Sequence, residues 1–514
     1  MGSPSQGDEP QNSGATGPTG TTGVPPVTSN SGVSSTAAAP AVAAQAAKAQ
    51  VTKGRSAELV LLAFAAVLTT GALILVEANQ EQELTSTLLI LGGCYLALFT
   101  GAHLVVRKWA PYADPLILPC AAMLNGLGLV MIHRVDLARA DRATQLDQGV
   151  PQLFANRQIV WTLIALVLFA ATLWFVSDHR TLARYGYTAG FLGLVLLALP
   201  GLLPASISEA NGAKIWLRLW IFSIQPGEFS KVLLIIFFSA LLISKRELFT
   251  AAGKHFLGME LPRPRDLAPL LVAWLLSVGV LVLEKDLGSS LLYFGVLLVL
   301  LYAATERVSW LVIGLLFFAA GATLAYSLFG HVRDRIEVWL DPFSHFDTAG
   351  YQIGQALFGL GTGGVGGTGL GAGRPELVPF AWSDFMVSSI GEELGLIGLA
   401  AVLVVYLVLV TRGLRSALAV RDSFGKLLAT GLAFSLALQV FVVMGGVTRL
   451  IPLTGLTIPF MSAGGSSLVA NYIIVALLLR ISNAARSPGG KKPAAPQTPL
   501  AEAKTEMVGG AGKK

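Results

Sequence analysis

Three adjacent charged residues, Glu284, Lys285 and Asp286, lie between two long apolar runs of the sequence. They lead into Leu287-Gly288-Ser289-Ser290, small residues suited to the start of a helix, where the helix dipole favours a carboxylate. The flanking charges could tune the ionisation of Asp286, and ionisable residues at membrane depth are functional candidates. Asp286 is therefore either a catalytic or binding carboxylate or a charge that ends a helix in water.

A second charged motif is the stretch "QPGEFSK", from Gln225 to Lys231. Pro226 suits the first turn of a helix, and Glu228 and Lys231 are three residues apart on one helix face. The pair could be an ion pair that anchors the helix end. Alternatively, Lys231 could supply positive charge to a site for an anionic head group.

Further basic residues lie in the connections between apolar runs. If they converged, they would suit a phosphate or diphosphate, to which arginine gives bidentate contacts. Each could equally be a solvated loop charge. These residues are Lys214, Arg218, Arg333, Arg335 and Arg449.

Two other stretches bear on chemistry. "SDFMVSSIGEELGLIG" has Asp384, Glu392 and Glu393 just before an apolar run, where they could face a cavity or water. The glycine run at 359–373 lacks the preceding strand that a nucleotide-binding loop requires, so it predicts backbone freedom in a loop. The sequence shows no Ser-His-Asp arrangement and no metal-ligand spacing. Cys94 and Cys120 lie in apolar runs and are predicted to be buried.

The composition indicates the elements that carry these residues. The chain has 514 residues, of which 54% are hydrophobic and 13% charged, with mean hydropathy +0.66. Its repeated long apolar runs predict an all-α polytopic membrane protein. Because many basic residues fall in short loops, the net charge of +6 indicates topology rather than nucleic-acid binding. We predict twelve spans: 59–76, 86–106, 115–132, 159–177, 186–203, 229–244, 267–283, 289–304, 310–329, 394–411, 427–447 and 467–482.

The basic loops favour both termini in the cytoplasm. One predicted outer loop disagrees, because it carries Arg134, Arg139, Arg142 and Arg157. In this orientation the unusual loops all face outward, including a long one at 330–393. Residues 448–466 are too apolar for an ordinary loop and too rich in Pro and Gly to span, which predicts irregular backbone lining a cavity.

The two ends of the chain differ in composition from the spans. No signal peptide is evident, and residues 1–56 and 485–514 are expected to be disordered cytoplasmic tails. Residues 57–110 are predicted to form an additional pair of spans, and 111–484 the membrane core.

Several motifs together resemble the SEDS (shape, elongation, division and sporulation) glycosyltransferases, which include RodA and FtsW. The motifs are "NGAKIWLRLWIFSIQPGEFSK", "EKDLGSS", "RIEVWLDP", "GYQIGQALFGLGTGG", "SDFMVSSIGEELGLIG" and "LIPLTGLTIPFMSAGGSSL". Their order matches the family over residues 115–482, with ten spans in the family core. The N-terminal pair and the tails resemble the actinobacterial RodA branch, which implies elongation rather than division.

The resemblance implies a peptidoglycan polymerase that joins disaccharide units of lipid II at the outer face of the cytoplasmic membrane. Asp286 matches the catalytic acid and would be the general base. No cofactor is certain, although a divalent cation (Mg or Mn) is possible, and the expected partner is a class B penicillin-binding transpeptidase. The positions implied to bind substrate are Lys214, Arg218, Glu228, Lys231, Lys285, Arg335, Asp384, Glu393, Ser462, Gly464, Gly465 and Ser466.

This chain departs from the family pattern at five positions. They carry Ile215, Phe380, Trp382, Val443 and Arg449, where members often have Arg, an acid, His, Asn and Gly. These departures put individual loop contacts in question and leave Asp286 unaffected. Three alternative functions stay open: an FtsW-like division polymerase, a lipid II flippase, and a scaffold that recruits other wall enzymes.

Overall fold

The computed structural model describes residues 38–80, 86–145, 147, 153–210, 212–219, 222–246, 255–256, 259–260 and 268–488. Within these ranges, ten helices are long and apolar enough to cross a membrane. Two shorter apolar helices lie at Gly186–Leu202 and Trp274–Glu284. Each predicted span coincides with one of these helices, so the all-α polytopic membrane fold is confirmed.

The main helices are numbered in chain order. They are α1 Ala38–Asn79, α2 Ser86–Trp109, α3 Ile117–Gln145, α4 Phe154–Phe175, α5 Thr181–Arg184, α6 Gly186–Leu202, α7 Ala205–Ser208, α8 Pro226–Ser244, α9 Ala268–Glu284, α10 Leu287–Thr305, α11 Val308–Leu328, α12 Gly330–Leu340, α13 Tyr351–Gly363, α14 Met386–Ala419, α15 Ser423–Val447 and α16 Gly465–Arg486. A 3₁₀ helix at Pro375–Leu377 precedes α14.

Six short strands form three antiparallel hairpins within the described residues. The pairs are β1 Glu209–Ala210 with β2 Ala213–Lys214, β3 Leu217–Leu219 with β4 Phe222–Ile224, and β5 His255–Phe256 with β6 Met259–Glu260.

The described part of the predicted N-terminal tail is helical, because α1 begins at Ala38. Its first residues are rich in alanine, which has the highest helix propensity. The prediction for the cysteines is wrong for Cys94, which is exposed on α2, whereas Cys120 is partly buried on α3. Only a third of the apolar window of α2 is buried, so the rest of its surface is available to lipid.

The centre of the protein consists of α3, α15 and α16, whose apolar windows are the most buried of the long spans. Around them, α4 packs on α16, α6 packs on α8, and α14 packs on α15. By contrast, α11 is buried over only 22% of its window and lies at the periphery. The central helices thus provide a rigid base for the loops at their ends.

The N-terminal pair is tied to the rest of the protein near both ends of the membrane-spanning part of α1, Thr52–Asn79. At one end, Arg55 donates to the carboxylate of Glu58 and to the carbonyl of Ala113, and His103 Nδ1 lies 2.7 Å from Glu58 Oε1. At the other end, the side chains of Asn79 and Gln80 donate to the carbonyls of Leu370 and Gly371. The pair therefore holds one side of the glycine-rich loop.

That loop repairs a break in α14 at Gly395, whose φ is +66°. The N–H groups of Leu396 and Ile397 donate to the carbonyls of Gly364 and Val365. In return, the N–H groups of residues 368 and 369 donate to the carbonyls of residues 392 and 393. Backbone groups that the helix leaves unpaired at the break are thus satisfied by the loop, as a low-dielectric setting requires.

Residues 451–464 have no helix or strand, although most of them are buried or half-buried. The predicted irregular backbone is therefore present. Side chains satisfy part of it: Gln439 Nε2 donates to the carbonyl of Thr457 at 2.9 Å, and Ile458 N–H donates to Ser462 Oγ at 3.0 Å. This segment brings its polar peptide groups toward the ends of α8, α10 and α12.

Substituting Gly395→Ala should destabilise the protein strongly. A Cβ at this position would lie 2.3 Å from Gly367 N, and the left-handed backbone adds strain, so we expect a loss of about 3 kcal/mol or more. Thermal unfolding in detergent measures the effect. The matched control is Gly361→Ala in α13, where a Cβ meets nothing within 4 Å; it should leave the midpoint unchanged or raise it. Equal midpoints for the two variants would contradict the assigned role of the break.

Removing the side-chain amides of Asn79 and Gln80 together should loosen the glycine-rich loop. Two hydrogen bonds of about 1 kcal/mol each would be lost, so amide exchange at residues 369–373 should quicken by about tenfold or more. Hydrogen–deuterium exchange of the purified Asn79→Ala/Gln80→Ala protein measures this change. Ser56→Ala, near the opposite end of the membrane-spanning part of α1, is the control. Unchanged exchange in the double variant would show that α1 does not hold the loop.

Candidate active site

A polar cavity of about 290 Å³ lies where several helix ends meet. Its walls come from the connection between β2 and β3, the start of α8, the turn between α9 and α10, α12, α13, the turn before α14 and the 448–466 segment. Five charged side chains line it: Glu228, Lys285, Asp286, Arg335 and Asp384. Of the thirteen residues predicted for a site, the structure brings these five together around one cavity.

Asp286 is the N-cap of α10 and is only 7% exposed. Its Oδ1 accepts from the backbone N–H of Ser289 at 3.0 Å, and its Oδ2 accepts from the Ser289 hydroxyl at 2.6 Å. These bonds fix the carboxylate, and each oxygen keeps a lone pair for another partner. A carboxylate held in this way at a helix N-terminus can accept a proton from a ligand in the cavity.

Two non-glycine residues of the cavity wall have left-handed backbone. The φ angles are +57° for Lys285 and +57° for Phe380. This conformation is uncommon for residues with a Cβ and costs about 1 kcal/mol or more. At Lys285 it lets the chain reverse between Glu284, which ends α9, and Asp286, which caps α10. The strained turn therefore delivers Asp286 to the cavity.

The charges of the cavity influence one another. Burial raises the pKa of Asp384 to about 6, and the positive charge of Arg335 opposes this shift. Partial burial and the charges of Arg335 and Lys285 lower the pKa of His331 on α12. Arg335 and Lys285 therefore supply positive charge to the cavity that the carboxylate of Asp286 also lines.

Lys231 lies behind the cavity and does not line it. It is 2% exposed, and its Nζ donates to Glu228 Oε2 at 2.9 Å and to Gln439 Oε1 at 2.8 Å. Because Gln439 donates in turn to the carbonyl of Thr457, the three side chains join α8, α15 and the 448–466 segment. The ion-pair interpretation of "QPGEFSK" accounts for this geometry.

The C-terminal signature residues support the wall from behind. Ser462 Oγ donates to the carbonyl of Ser383 at 2.6 Å, and Ser466 Oγ accepts from the N–H of Gln225 at 2.9 Å. Gly464 is the N-cap of α16, and a Cβ on Gly465 would lie 2.1 Å from the ring of Trp161. None of these four residues lines the cavity.

Glu393 is likewise outside the cavity and fully buried. Its Oε1 accepts from Arg134 Nε at 3.0 Å, and its Oε2 accepts from Gly371 N–H at 3.0 Å. Glu392 Oε1 accepts from Arg374 N–H at 2.7 Å. These acids brace the glycine-rich loop, whereas Asp384, earlier in the same motif, reaches the cavity.

The remaining predicted bases lie beside the cavity or away from it. Lys214, on β2, is half-buried between two lining residues, Ala213 and Ile215. Arg218 is exposed on β3. Arg333 is exposed on α12, where its Nη2 donates to the carbonyl of Ser327 at 3.3 Å.

Sequence reasoning missed several polar or aromatic lining residues. They are Trp216, Gln225, Gln352, Ser383, Thr454 and Thr457. All of them lie in stretches that resemble family motifs, so motif membership was the available signal. Among the described residues, no group of three or more His, Cys, Asp or Glu side chains is arranged to hold a metal ion.

An apolar cavity of about 290 Å³ adjoins the polar one. Its wall includes Trp274, Phe294 and Phe318 from α9, α10 and α11. Thr454 lines both cavities. A single amphiphilic molecule could therefore extend from one cavity into the other, with its charged part near Asp286.

Comparisons with known proteins agree with this architecture. The chain is 58% identical over 454 residues to peptidoglycan glycosyltransferase RodA of Mycobacterium bovis, covering 88% of this chain and 96% of that protein. RodA of Mycobacterium leprae is 56% identical over the same shares. A probable peptidoglycan glycosyltransferase FtsW of a Geobacter species is 33% identical, over 73% of this chain and 97% of that protein.

Two solved structures have a similar fold. One chain, described under structural coordination of polymerization and crosslinking by a peptidoglycan synthase complex, is 27% identical with a TM-score of 0.57, covering 72% of this chain and 97% of that one. A RodA variant from Thermus thermophilus, 24% identical, shares the fold with a TM-score of 0.51 over 72% of this chain and 97% of that one.

The family model that matches is that of the FtsW, RodA and SpoVE cell cycle proteins, and the match covers residues 115–487. It extends from the start of α3 to the end of α16 and leaves α1 and α2 outside. With the curated relatives, it confirms the resemblance to the SEDS family that the motifs indicate. This chain belongs to the FtsW/RodA/SpoVE family.

Proposed function

We propose that this protein is a RodA-type peptidoglycan glycosyltransferase, which polymerises lipid II into glycan strands at the outer face of the cytoplasmic membrane. The names of its curated relatives support the reaction class. The observation that carries the proposal is the contact between a charged cavity around Asp286 and an apolar cavity, with Thr454 common to both. A diphosphate-linked sugar on a polyprenyl chain has the matching division into charged and apolar parts.

Asp286 acts as the general base. It takes the proton of the acceptor sugar hydroxyl while the oxygen of that hydroxyl bonds to the anomeric carbon of the donor. The bond from that carbon to the diphosphate oxygen breaks, and attack from the opposite face inverts the configuration. Ser289, which donates to Asp286 through both its N–H and its hydroxyl, keeps the carboxylate oriented.

Arg335 and Lys285 stabilise the negative charge that develops on the leaving diphosphate. Both line the cavity that contains Asp286, so the charge would form beside two cations. Any divalent cation would enter with the diphosphate of the donor, since the described residues include no cluster of three metal-binding side chains. If a cation enters in this way and assists the reaction, removal of divalent cations with EDTA should lower the rate of polymer formation.

Both termini are proposed to face the cytoplasm, with the polar cavity on the outer side. A class B penicillin-binding transpeptidase is the proposed partner, because a related chain comes from a complex described as coordinating polymerization and crosslinking. Elongation is preferred over division, because identity is 58% to a RodA and 33% to an FtsW.

Asp286→Asn should abolish polymer formation while the protein stays folded. Loss of a general base typically costs about 10² to 10⁴-fold in rate, and Asn keeps the size of the side chain. Purified protein with its transpeptidase partner, given lipid II, is assayed for glycan strands. Asp347→Asn, at an exposed site outside the cavity, is the control for lost charge.

The outcomes separate the proposed enzyme from the alternatives. If Asp286→Asn formed polymer at the wild-type rate, Asp286 would not be the general base. Lipid II scrambling by a wild-type protein that makes no polymer would favour a flippase. Neither polymer nor scrambling from wild type would favour a scaffold.

Asp384 should make donor binding pH-dependent. Because its pKa is about 6, it is neutral at pH 5 and ionised at pH 7, where it repels a diphosphate. The KM for lipid II should therefore rise between pH 5 and pH 7. In Asp384→Asn the rise should vanish, and KM at pH 7 should fall about fivefold, as expected for about 1 kcal/mol of repulsion. Asp347→Asn should retain the wild-type pH profile, and an unaltered profile in Asp384→Asn would refute the assignment.

A further inference from the structure

Helix α12 contributes to the walls of both cavities. Arg335 lines the polar cavity, whereas Val332 and Ile336 line the apolar one. Of the eleven residues of this helix, only Val332 is buried. A helix with so little buried surface needs other contacts to hold its position, since packing supplies most helix stability in proteins.

The C-terminal end of α12 is held by a reciprocal contact with Arg449. Arg449 Nε donates to the carbonyl of Trp339 at 2.7 Å, and its Nη2 donates to the carbonyl of Leu340. In the other direction, Trp339 Nε1 donates to the carbonyl of Arg449 at 3.1 Å. The last carbonyls of a helix lack partners within it, and a cation there is favoured by the helix dipole.

Arg449 has left-handed backbone, with φ of +61°. A side chain is strained in this conformation, whereas glycine adopts it freely. The segment around it is firmly attached to the end of α15: Leu450 N–H and Ile451 N–H both donate to the carbonyl of Gly445, at 2.8 and 3.1 Å. An unfavourable backbone thus points the guanidinium at the carbonyls of α12 from a fixed base.

A second contact lies one helical turn earlier. Arg335 Nη1 donates to the carbonyl of Leu453 at 2.7 Å, so α12 is tied twice to the 448–466 segment. If the guanidinium of Arg449 were lost, the end of α12 would keep only the bond from Trp339 Nε1 to the backbone carbonyl of residue 449. Arg335, four residues before Trp339, would then depend on its own bond to the carbonyl of Leu453 and would be held less firmly in the polar cavity.

We propose that Arg449 is a positioning residue that holds the end of α12 and thereby fixes Arg335 in the cavity that contains Asp286. Arg449 is not among the residues that line that cavity and acts through α12. The expected effect on catalysis rests on the proposed glycosyl transfer. The expected effect on the position of α12 is independent of that reaction.

The first experiment measures α12 itself. In purified full-length Arg449→Gly, amide exchange across residues 330–340 should quicken by about tenfold, the effect of losing charge-assisted hydrogen bonds. The thermal unfolding midpoint should fall little, because glycine adopts the left-handed backbone at this position without strain. Trp339→Phe, which removes one donor, should give an intermediate rate. Thr448→Ala, at the neighbouring position, should match wild type.

The second experiment measures lipid II polymerisation. Arg449→Gly should raise KM and lower kcat, with kcat/KM reduced by about tenfold, because Arg335 both binds the diphosphate and stabilises the charge that develops on it. Arg449→Lys, with a charge but no planar fork, should restore part of the loss. If Arg449 acts through Arg335, adding Arg449→Gly to Arg335→Ala should cause no further rise in KM.

Two results would overturn the proposal. One is wild-type exchange of α12 in Arg449→Gly. The other is a rise in KM that multiplies fully with that of Arg335→Ala, which would mean that the two residues act independently. If the wild-type protein makes no polymer, the proposed function fails, and the exchange experiment still decides whether Arg449 holds α12.

Discussion

A peptide group without a hydrogen-bond partner is costly at membrane depth, and this constraint determines how the candidate active site is built. Irregular backbone can exist there only where other parts of the protein satisfy it. The break of α14 at Gly395 is satisfied by the glycine-rich loop. The 448–466 segment is satisfied in part by Gln439, Arg335 and Ser462. Both irregular segments therefore depend on partners from other parts of the chain, and the contacts of the 448–466 segment involve Arg335, Leu453 and Thr457, which line the polar cavity.

The constraint also explains why so many motif residues stand behind the cavity. Ser462 and Ser466 bind backbone groups of Ser383 and Gln225, which line it. Glu393 holds Gly371 and pairs with Arg134. Such residues brace the elements around the cavity, and the same logic extends to the end of α1, where Asn79 and the following Gln80 hold the loop from its other side. The supporting shell is larger than the set of side chains that face the cavity.

The sequence was sufficient to predict the spans, because apolar length alone distinguishes them, and to place Asp286 at a helix start, because a carboxylate before Gly-Ser-Ser marks one. It also offered the ion pair of Glu228 and Lys231 as one of two interpretations, since their spacing is local, and the structure contains that pair. The sequence could not separate Asp384 from Glu393. Both residues come shortly before the same predicted span. The glycine-rich loop covers Glu393 and leaves Asp384 at the cavity, and the path of that loop is not evident from local sequence. Contacts such as that of Arg449 with Trp339 depend on chain segments 110 residues apart, beyond any local pattern.

The structure bears on the basic residues that disagree with the predicted orientation. The positive-inside rule concerns charges in loops near the ends of spans, and Arg134 is not a loop charge: it is 2% exposed on α3 and paired with Glu393. Arg139 lies 4.7 and 4.8 Å from the ring centroids of Phe154 and Trp382, which stack on each other. Arg134 and Arg139, two of the four basic residues that disagree with the orientation, thus have acidic or aromatic partners within the protein. Once they are set aside, the basic residues of the loops on the other side outnumber those that remain, as the positive-inside rule expects for the proposed orientation.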